Sequence, residues 1–514
     1  MNIAKKTKKQ AFKIIFLILF ILSFFINIII SVILFSEYFV IETDDKSSIL
    51  TDDTYPPKYI FLFIGDGFGY PQMTLASQYK TTVEKKERGN GNLVMLDFDV
   101  TGIAFTGSAS SIIGDSAASA TAMASGLKTY NAYLNYDIDG TKTEIITEKL
   151  KKQLNYRIGI ISSVNLNQAT PAAFYAHQNS RYENYGGMFL ELLDSDFDFF
   201  GGGSLYGIGE AEASTGKTFW ELLSDKGYTY IRDKNEILNL KNNGDKIIAV
   251  APKLDIYGTL HYAIDYAVKN DPEALNLADL TRKCIELLDN DTGFYMMVEG
   301  GKIDLSCHAN DAATLIHEVI AFDEAINEAV EFYKKNPRET LIIVTGDHET
   351  GGLSLGYSGT YTNTYLQYLQ KQKISYSEFA RIVAQYRQNE TPFDWILPEI
   401  EEYFGISQYY DGTSNFHFYD DEIQKLRVAY EQSLIEPSLR YFTMNEYILY
   451  GFYDPLTTTI TNITNKKAGV TWGTFSHSFS TVPVFAMGNS AELFRGVYHN
   501  SEIFYKLKNL MNLE

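Results

Sequence analysis

The sequence predicts an α/β fold, a three-layer αβα sandwich built around a mostly parallel central sheet. Four nearly continuous apolar runs, bounded by glycine or polar turns, are the main observation behind this prediction. They lie at residues 59–65, 157–161, 294–298 and 341–346. Such runs are typical of strands that are buried on both faces of a parallel sheet. With 514 residues and 45% apolar content, the chain is long enough for one large α/β domain carrying an insertion.

Residue types that bind metal ions follow these apolar runs. Asp66 comes after the first run, Glu299 after the third, and Asp347 and His348 after the fourth, while 157–161 leads into a polar turn that ends near Thr170. In open α/β sheets the ligand site lies beyond the carboxyl ends of the strands. A single acidic residue after a strand is a common turn former, but this repetition predicts a functional site at one edge of the sheet.

A small-residue segment predicts a helix that begins near Asp115 and Ser116 and ends at Gly126. The unpaired N–H groups and partial positive charge of a helix N-terminus favour a serine alkoxide or a bound phosphate, so Ser116 is a candidate nucleophile. An ordinary Asp or Ser cap explains the same residues equally well at this point.

Histidine placement favours a metal site. Asp304 and His308 are four residues apart, so a helix would place them on one face, and His477 follows a glycine-containing turn. Cys307, beside His308, is interpreted as a small buried residue. The remaining histidines are expected to be surface or packing residues: His177, His261, His317, His417 and His499.

Four segments resemble signature blocks of the alkaline phosphatase family, and they occur in the same order along the chain. They are Ile64–Gly67, Asp115–Ala122, Val298–Asp304 and Thr345–Gly352. The resemblance extends from about Lys58 to the C-terminus, with a break in a partly helical insertion at about 356–470.

This resemblance implies a site that holds two Zn²⁺ and one Mg²⁺. The ligands it implies for the first zinc are Asp304, His308 and His477. The ligands for the second zinc, which would also bind the Ser116 oxygen, are Asp66, Asp347 and His348. The ligands for the magnesium are Asp66, Thr170 and Glu299.

The implied activity is hydrolysis of small-molecule phosphate monoesters through a covalent phosphoserine at Ser116. Arg181 matches the family arginine that clamps phosphate oxygens, and Asp115 would orient it. Gln168 replaces an aspartate or histidine usual near the magnesium, and Leu305 replaces a polar or aromatic residue. Two alternatives stay open: a phosphodiesterase of the same superfamily, and a catalytically silent membrane-tethered protein that binds phosphate or metal.

The N-terminus predicts a membrane anchor. Residues 1–13 form a lysine-rich cytoplasmic tail, and the uncharged run at 14–35 is long enough to span a hydrocarbon core of about 30 Å. A linker at 36–57 would then lead to a catalytic domain at 58–514 outside the cytoplasm, which would be secreted if the N-terminal segment were cleaved.

Charge limits the set of partners. The net charge of −20 argues against a nucleic-acid partner. The insertion leaves a homodimer possible, because family members use insertions here either to cover the site or to make dimer contacts.

Overall fold

Fourteen strands are found in the computed structural model of the protein, which describes residues 55–83, 93–269, 271–410, 412 and 414–514. They are β1 (Tyr59–Gly65), β2 (Val100–Phe105), β3 (Arg157–Ser162), β4 (Phe199–Gly202), β5 (Tyr228–Ile231), β6 (Lys246–Val250), β7 (Phe294–Gly300), β8 (Thr340–Gly346), β9 (Glu349–Thr350), β10 (Ser354–Leu355), β11 (Val470–Thr471), β12 (His477–Ser478), β13 (Val482–Gly488) and β14 (Gly496–His499). Ten of them form one sheet in the order β14-β2-β13-β8-β1-β7-β3-β4-β6-β5. The other four form two small antiparallel sheets, β9 with β12 and β10 with β11.

The four apolar runs that predicted the fold are four neighbouring parallel strands at the centre of the sheet, β8-β1-β7-β3. Their ends are level, since Gly65 pairs with Gly300 on one side and with Gly346 on the other. The residues that follow these strands therefore emerge at one edge. Only β13 runs antiparallel to its neighbours in the large sheet, so the prediction of a mostly parallel sheet is confirmed.

Both faces of the central strands are buried. Phe61 and Phe63 of β1 face one apolar core, whereas Ile60, Leu62 and Ile64 face a second core on the other side. All five side chains are fully buried. Helices cover the sheet on both sides, which gives the predicted sandwich.

The helices fall in two groups along the chain. Those of the main body are α1 (Tyr70–Val83), α2 (Ser116–Ser125), α3 (Ile146–Leu154), α4 (Ala169–Ala172), α5 (Tyr185–Asp194), α6 (Ile208–Thr215), α7 (Phe219–Lys226), α8 (Lys234–Asn239), α9 (Ala263–Lys269), α10 (Leu277–Leu288), α11 (Lys302–His308) and α12 (Ala312–Tyr333). After β8 come α13 (Tyr376–Gln388), α14 (Phe393–Phe404), α15 (Asp420–Ser433), α16 (Met444–Tyr450) and α17 (Pro455–Ala468), and α18 (Ser501–Leu510) ends the chain.

The predicted insertion contains α13 to α17 and has an apolar core of its own, to which Phe379, Phe404 and Leu426 belong. A buried polar contact joins it to the main body. The carboxylate of Asp311, which caps α12, accepts hydrogen bonds from the Gln372 amide at 2.9 and 3.1 Å and from the Tyr376 N–H at 2.9 Å.

Within the described part of the chain, no helix combines the length and the apolar character needed to cross a membrane. The predicted anchor at 14–35 lies outside the described residues.

Candidate active site and metal centre

Ser116 is the first residue of α2, as the sequence predicts. The Asp115 side chain caps this helix by accepting a hydrogen bond from the Ala118 N–H at 3.0 Å. At the other end Gly126 adopts a left-handed conformation with φ +77°, and its N–H donates to the Ala122 carbonyl. Small buried residues fill the helix between these caps, so α2 packs closely and Ser116 is only 3% exposed.

Arg181 lies beside the start of this helix. Its Nη1 is 3.4 Å from Oδ2 of Asp115, and the same oxygen accepts the Ala132 N–H at 3.0 Å. Asp115 therefore both caps the helix and holds the guanidinium. The side chain of Arg181 keeps 16% of its surface exposed, so the group can reach a ligand.

Asp66, Asp347 and His348 meet next to Ser116. The serine Oγ is 3.3 Å from Nε2 of His348 and 3.5 Å from Oδ1 of Asp66. Nε2 of His348 is also 3.5 Å from Asp66 Oδ1 and 3.3 Å from Asp347 Oδ2. These residues follow β1 and β8, the adjacent strands whose ends are level.

Backbone N–H groups donate hydrogen bonds to only one of the two carboxylate oxygens of Asp347. Oδ1 accepts the N–H groups of Gly67 at 3.0 Å and of His348 at 2.8 Å. Oδ2 is buried and receives no hydrogen bond from the described residues. Buried polar atoms are nearly always satisfied, and an unmet carboxylate oxygen is a natural ligand for a cation.

The three histidines present Nε2 to the same region, because their Nδ1 atoms are engaged elsewhere. His308 Nδ1 is 2.7 Å from the Phe475 carbonyl, and His477 Nδ1 is 3.0 Å from the Gly114 carbonyl. A carbonyl only accepts, so each Nδ1 carries the proton and each neutral ring keeps a lone pair on Nε2.

His348 reaches the same state through Thr350. The Thr350 hydroxyl donates to Oδ1 of Asp304 at 2.6 Å, so it can only accept from Nδ1 of His348, which lies 3.2 Å away. Nε2 of His348 then carries a lone pair that faces the carboxylate oxygens of Asp66 and Asp347. Two acceptors at 3.3 Å repel each other unless a cation lies between them.

Asp304, His308 and His477 form the second part of the cluster. Oδ2 of Asp304 is 3.2 Å from Nε2 of His308, one turn along α11, and Oδ1 is 3.9 Å from Nε2 of His477. Two sets have ligand atoms that all lie within 4.8 Å of one another: Asp304 with His348 and His477, and Asp66 with Asp347 and His348. His348 therefore belongs to both sets.

Thr170 and Glu299 border the cluster on the β3 and β7 side. The Thr170 hydroxyl donates to Oδ2 of Asp66 at 3.3 Å, and the Ser162 hydroxyl donates to Glu299. Gln168 begins the short helix α4 that carries Thr170, and its amide is 3.4 Å from Asn165 Oδ1. Thr170 and Glu299 are each 1% exposed.

Burial raises the pKa of the Asp66, Asp347 and Glu299 carboxyl groups well above their usual range, and neighbouring carboxylates add to the effect. Burying three ionised carboxylates close together would cost free energy, because they lose hydration and repel one another. Divalent ions would remove that cost, and the donor set of carboxylate oxygens, imidazole nitrogens and hydroxyls suits zinc and magnesium. The residues present thus fit the metals that the resemblance implies.

Two features of the site were not predicted from the sequence. Thr350 links His348 to Asp304, and the fully buried Lys302 bonds to Asp255, Thr259 and the Leu260 carbonyl at 2.6–2.8 Å. Both residues lie inside the signature blocks, which was a signal, but Asp304 is 46 residues from Thr350 and Asp255 is 47 residues from Lys302. The five histidines interpreted as surface or packing residues lie outside the two ligand sets, but so does His308, a predicted ligand of the first zinc; Cys307 is buried, as expected, and unpaired.

Solved structures and curated proteins that are similar to this chain are named alkaline phosphatases. A cold-active alkaline phosphatase from the psychrophile Shewanella sp. superimposes with a TM-score of 0.70 at 28% identity, over 88% of this chain and 99% of that one. Alkaline phosphatase 4 of Bacillus subtilis is 28% identical over 472 residues, 90% of each chain. The fold and the site together thus define a phosphatase.

The family model described as alkaline phosphatase matches residues 57–513. The chain therefore belongs to the alkaline phosphatase family.

Proposed function

We propose that the protein hydrolyses phosphate monoesters to an alcohol and inorganic phosphate, through a covalent phosphoserine at Ser116. The observation that carries this proposal is the position of the serine hydroxyl. It lies at a helix N-terminus, 3.3 Å from Nε2 of His348 and 3.5 Å from Oδ1 of Asp66, beside a buried Asp347 oxygen that receives no hydrogen bond within the described part of the chain. A hydroxyl in this environment can be deprotonated and directed at a phosphorus atom.

The metal content we propose is two zinc ions and one magnesium ion. The first zinc would be held by Asp304, His308 and His477, the second by Asp66, Asp347 and His348, and the magnesium by Asp66, Thr170 and Glu299. When bound, these ions would lower the pKa of the serine hydroxyl and offset the charge on the phosphate oxygens. A variant of the alkaline phosphatase of the Antarctic bacterium TAB5, 25% identical with a TM-score of 0.59, has Mg bound in its M3 site, which supports the third ion.

Side chains of the protein would bind the phosphate group and take part in the two displacements at phosphorus. Arg181, held by Asp115, would donate two parallel hydrogen bonds to non-bridging phosphate oxygens. The Ser116 oxygen would form a bond to phosphorus as the ester P–O bond breaks, and the alcohol would leave on the opposite side, toward Asp304 and His308. Water would then attack phosphoserine from the vacated side, release phosphate and restore the Ser116 hydroxyl.

We also propose that residues 14–35 anchor the chain in a membrane with the catalytic domain outside the cytoplasm. The lysines that precede the uncharged run support this orientation. Protease treatment of intact cells would degrade the catalytic domain, whereas protection of the domain would contradict the proposal.

Ser116→Ala tests the central proposal. We expect hydrolysis of 4-nitrophenyl phosphate to fall by about 10³-fold or more, because the variant lacks the hydroxyl that would form the covalent intermediate. Inorganic phosphate should still inhibit binding of a fluorescent phosphonate. Ser119→Ala is the matched control, since Ser119 lies on the same helix and donates to the Thr106 carbonyl at 3.3 Å.

The same assay separates the alternatives. Preference for bis(4-nitrophenyl) phosphate would indicate a diesterase. No turnover of either substrate by a zinc-loaded protein would favour a tethered binding protein. Near-normal turnover by Ser116→Ala would show that the nucleophile is wrongly assigned.

A further inference from the structure

The insertion contains a cleft of about 860 Å³ that the proposed reaction does not use. Cavities of about 300–1,000 Å³ are the usual size of sites that bind small molecules. None of the residues that line this cleft belongs to the two ligand sets of the metal centre. We call it the tyrosine cleft, after six of its lining residues: Tyr357, Tyr361, Tyr365, Tyr368, Tyr419 and Tyr450.

One wall of the tyrosine cleft is a single face of helix α17. The residues of α17 that line the cleft are separated by three or four positions, which is the spacing of neighbours on one helix face. They are Thr459, Asn462, Ile463, Lys466 and Lys467. Residues 421–428 of α15 line the cleft in the same way. Two helices therefore present mixed polar and apolar faces to one cavity.

Stacked aromatic rings stiffen the side of the cleft formed by residues 357–368. The rings of Tyr365 and Tyr368 are nearly parallel, with centres 5.5 Å apart, and Tyr368 stacks on Phe416 at 4.4 Å. The Tyr365 N–H donates to the carbonyl of Ala468, the last residue of α17, at 2.9 Å. This wall is thus fixed to α17 by backbone as well as by rings.

Tyr361 occupies an unusual place at the cleft. Its backbone has φ +54° and ψ −117°, a conformation that costs a residue with a side chain about 1–3 kcal/mol. The ring gains little from burial in return, because Tyr361 is 86% exposed. A bridge between the backbones of Tyr357 and Tyr361 holds this turn. The fold therefore spends free energy to present a bare aromatic ring beside the cavity.

The charges in the cleft are largely balanced within it. Nζ of Lys467 lies 2.8 Å from Oε2 of Glu422, and Nζ of Lys425 lies 2.7 Å from Oδ2 of Asp421. Lys466 is the remaining charged residue of the lining, so three lysines and two acids leave one net positive charge. A multiply charged ligand would find little electrostatic attraction here.

Several polar groups of the lining are free to bind a neutral ligand. The side-chain amides of Asn363, Gln424 and Asn462 form no hydrogen bond with any other described residue, and neither do the hydroxyls of Tyr361 and Tyr365. Each amide can donate two hydrogen bonds and accept two. The cleft therefore combines aromatic surface with uncharged donors and acceptors.

We propose that the tyrosine cleft binds an uncharged oligosaccharide. A sugar ring has a face of C–H groups that packs on an aromatic ring, and an edge of hydroxyls that amides and phenols can satisfy. A purely apolar ligand would bury the amides without partners, which costs free energy. A charged ligand would have to compete with the internal ion pairs. This binding site is separate from the metal centre and goes beyond the proposed phosphatase activity.

Calorimetric titration of the full chain with neutral tetrasaccharides tests the proposal. The probes are the β-1,4 tetramers of N-acetylglucosamine, glucose and mannose and the α-1,4 tetramer of glucose. At least one should bind with a dissociation constant of about 1 mM or tighter. Binding should be the same at about 0.05 and 0.5 M salt, because it does not depend on unpaired charge.

Two variants locate the binding in the cleft. Tyr361→Ala should weaken it by about tenfold, through loss of the stacking ring, and Asn462→Ala by about fivefold, through loss of a hydrogen bond. Tyr441→Ala is the matched control, since Tyr441 is also 86% exposed and lies in the insertion but does not line the cleft. All three variants should hydrolyse 4-nitrophenyl phosphate as the wild type does, which verifies that they fold.

Three results would overturn the inference: no binding of any of the four tetrasaccharides, binding that is lost at the higher salt concentration, or wild-type affinity in both Tyr361→Ala and Asn462→Ala. A second assay distinguishes free sugars from polymers, with the insoluble polysaccharide of whichever sugar binds. Retention on the polymer would show that the cleft accepts an interior stretch of a glycan. Binding of the tetramer alone would show that it takes a free oligosaccharide.

Discussion

At the scale of single residues, the site depends on which nitrogen of each imidazole carries its proton. Backbone carbonyls settle this for His308 and His477, but His348 depends on one hydroxyl, that of Thr350. The same hydroxyl positions Oδ1 of Asp304. A single side chain therefore orients ligands in both halves of the cluster.

Thr350→Val removes this hydroxyl at nearly constant volume. We expect zinc affinity to fall by about 10- to 100-fold, because an unsupported His348 can adopt the other tautomer and Asp304 loses a hydrogen bond. Zinc retained per chain after dialysis against graded chelator measures the effect. Thr350→Ser keeps the hydroxyl and should retain zinc as the wild type does; equal zinc retention by Thr350→Val would refute this role.

The residues that the sequence pattern singled out as ligands lie close together in the structure, but their role as metal ligands stays a prediction, and their supports were not predicted. Asp304 and His308 are separated by one helical turn, so spacing alone placed them together. The contact between Lys302 and Asp255 could not be predicted, because the two residues are joined only by the folded loop that contains Thr259 and Leu260. Local patterns report spacing along the chain, whereas these contacts depend on tertiary packing.

At the scale of elements, four parallel strands, the helices α2 and α11 and the short strand β12 carry most of the site. Strand prediction succeeded because burial on both faces leaves long apolar runs. The antiparallel direction of β13 was not predictable, since a buried strand has the same composition in either direction. The helix α2 was predicted at both ends because its caps are local: Asp115 at the start and Gly126 at the end.

Gly126→Ala should destabilise the protein by about 2–4 kcal/mol. A left-handed alanine costs about 1–2 kcal/mol, and its Cβ would lie 2.6 Å from Cδ1 of Phe504. Gly216→Ala measures the cost of the left-handed conformation alone, because Gly216 also ends a helix with φ +69° but has open space around it, so the difference between the two variants gives the steric part. Urea midpoints of the metal-free proteins give the comparison; equal losses in the two variants would rule out the steric contribution.

At the scale of the whole molecule, the buried carboxylates would make the stability of the fold depend on bound metal ions. Without ions, burial raises the pKa of Asp66, Asp347 and Glu299, so the folded state binds protons more tightly than the unfolded state does. This tighter proton binding stabilises the folded state at pH values below the ordinary carboxyl pKa of about 4. The stabilisation is lost as the pH rises through the raised pKa values of the folded state.

Metal removal should therefore lower the melting temperature, and the difference from the loaded protein should widen as the pH rises from about 4. Melting curves with and without chelator across pH measure it. Asp66→Asn removes one titrating group and should flatten the pH dependence of the metal-free protein. A difference that stays constant or shrinks over this range would contradict the explanation.

The separate core of the insertion has a consequence for how this protein can change over time. Phe379, Phe404 and Leu426 belong to this core, whereas buried polar contacts with the main body are made to Asp265, Asn310 and Asp311. Sequence drift within the insertion can thus reshape its outer surface while the strands that carry the site stay fixed. A different segment could take its place only if it also satisfied the buried polar groups of Asp265, Asn310 and Asp311.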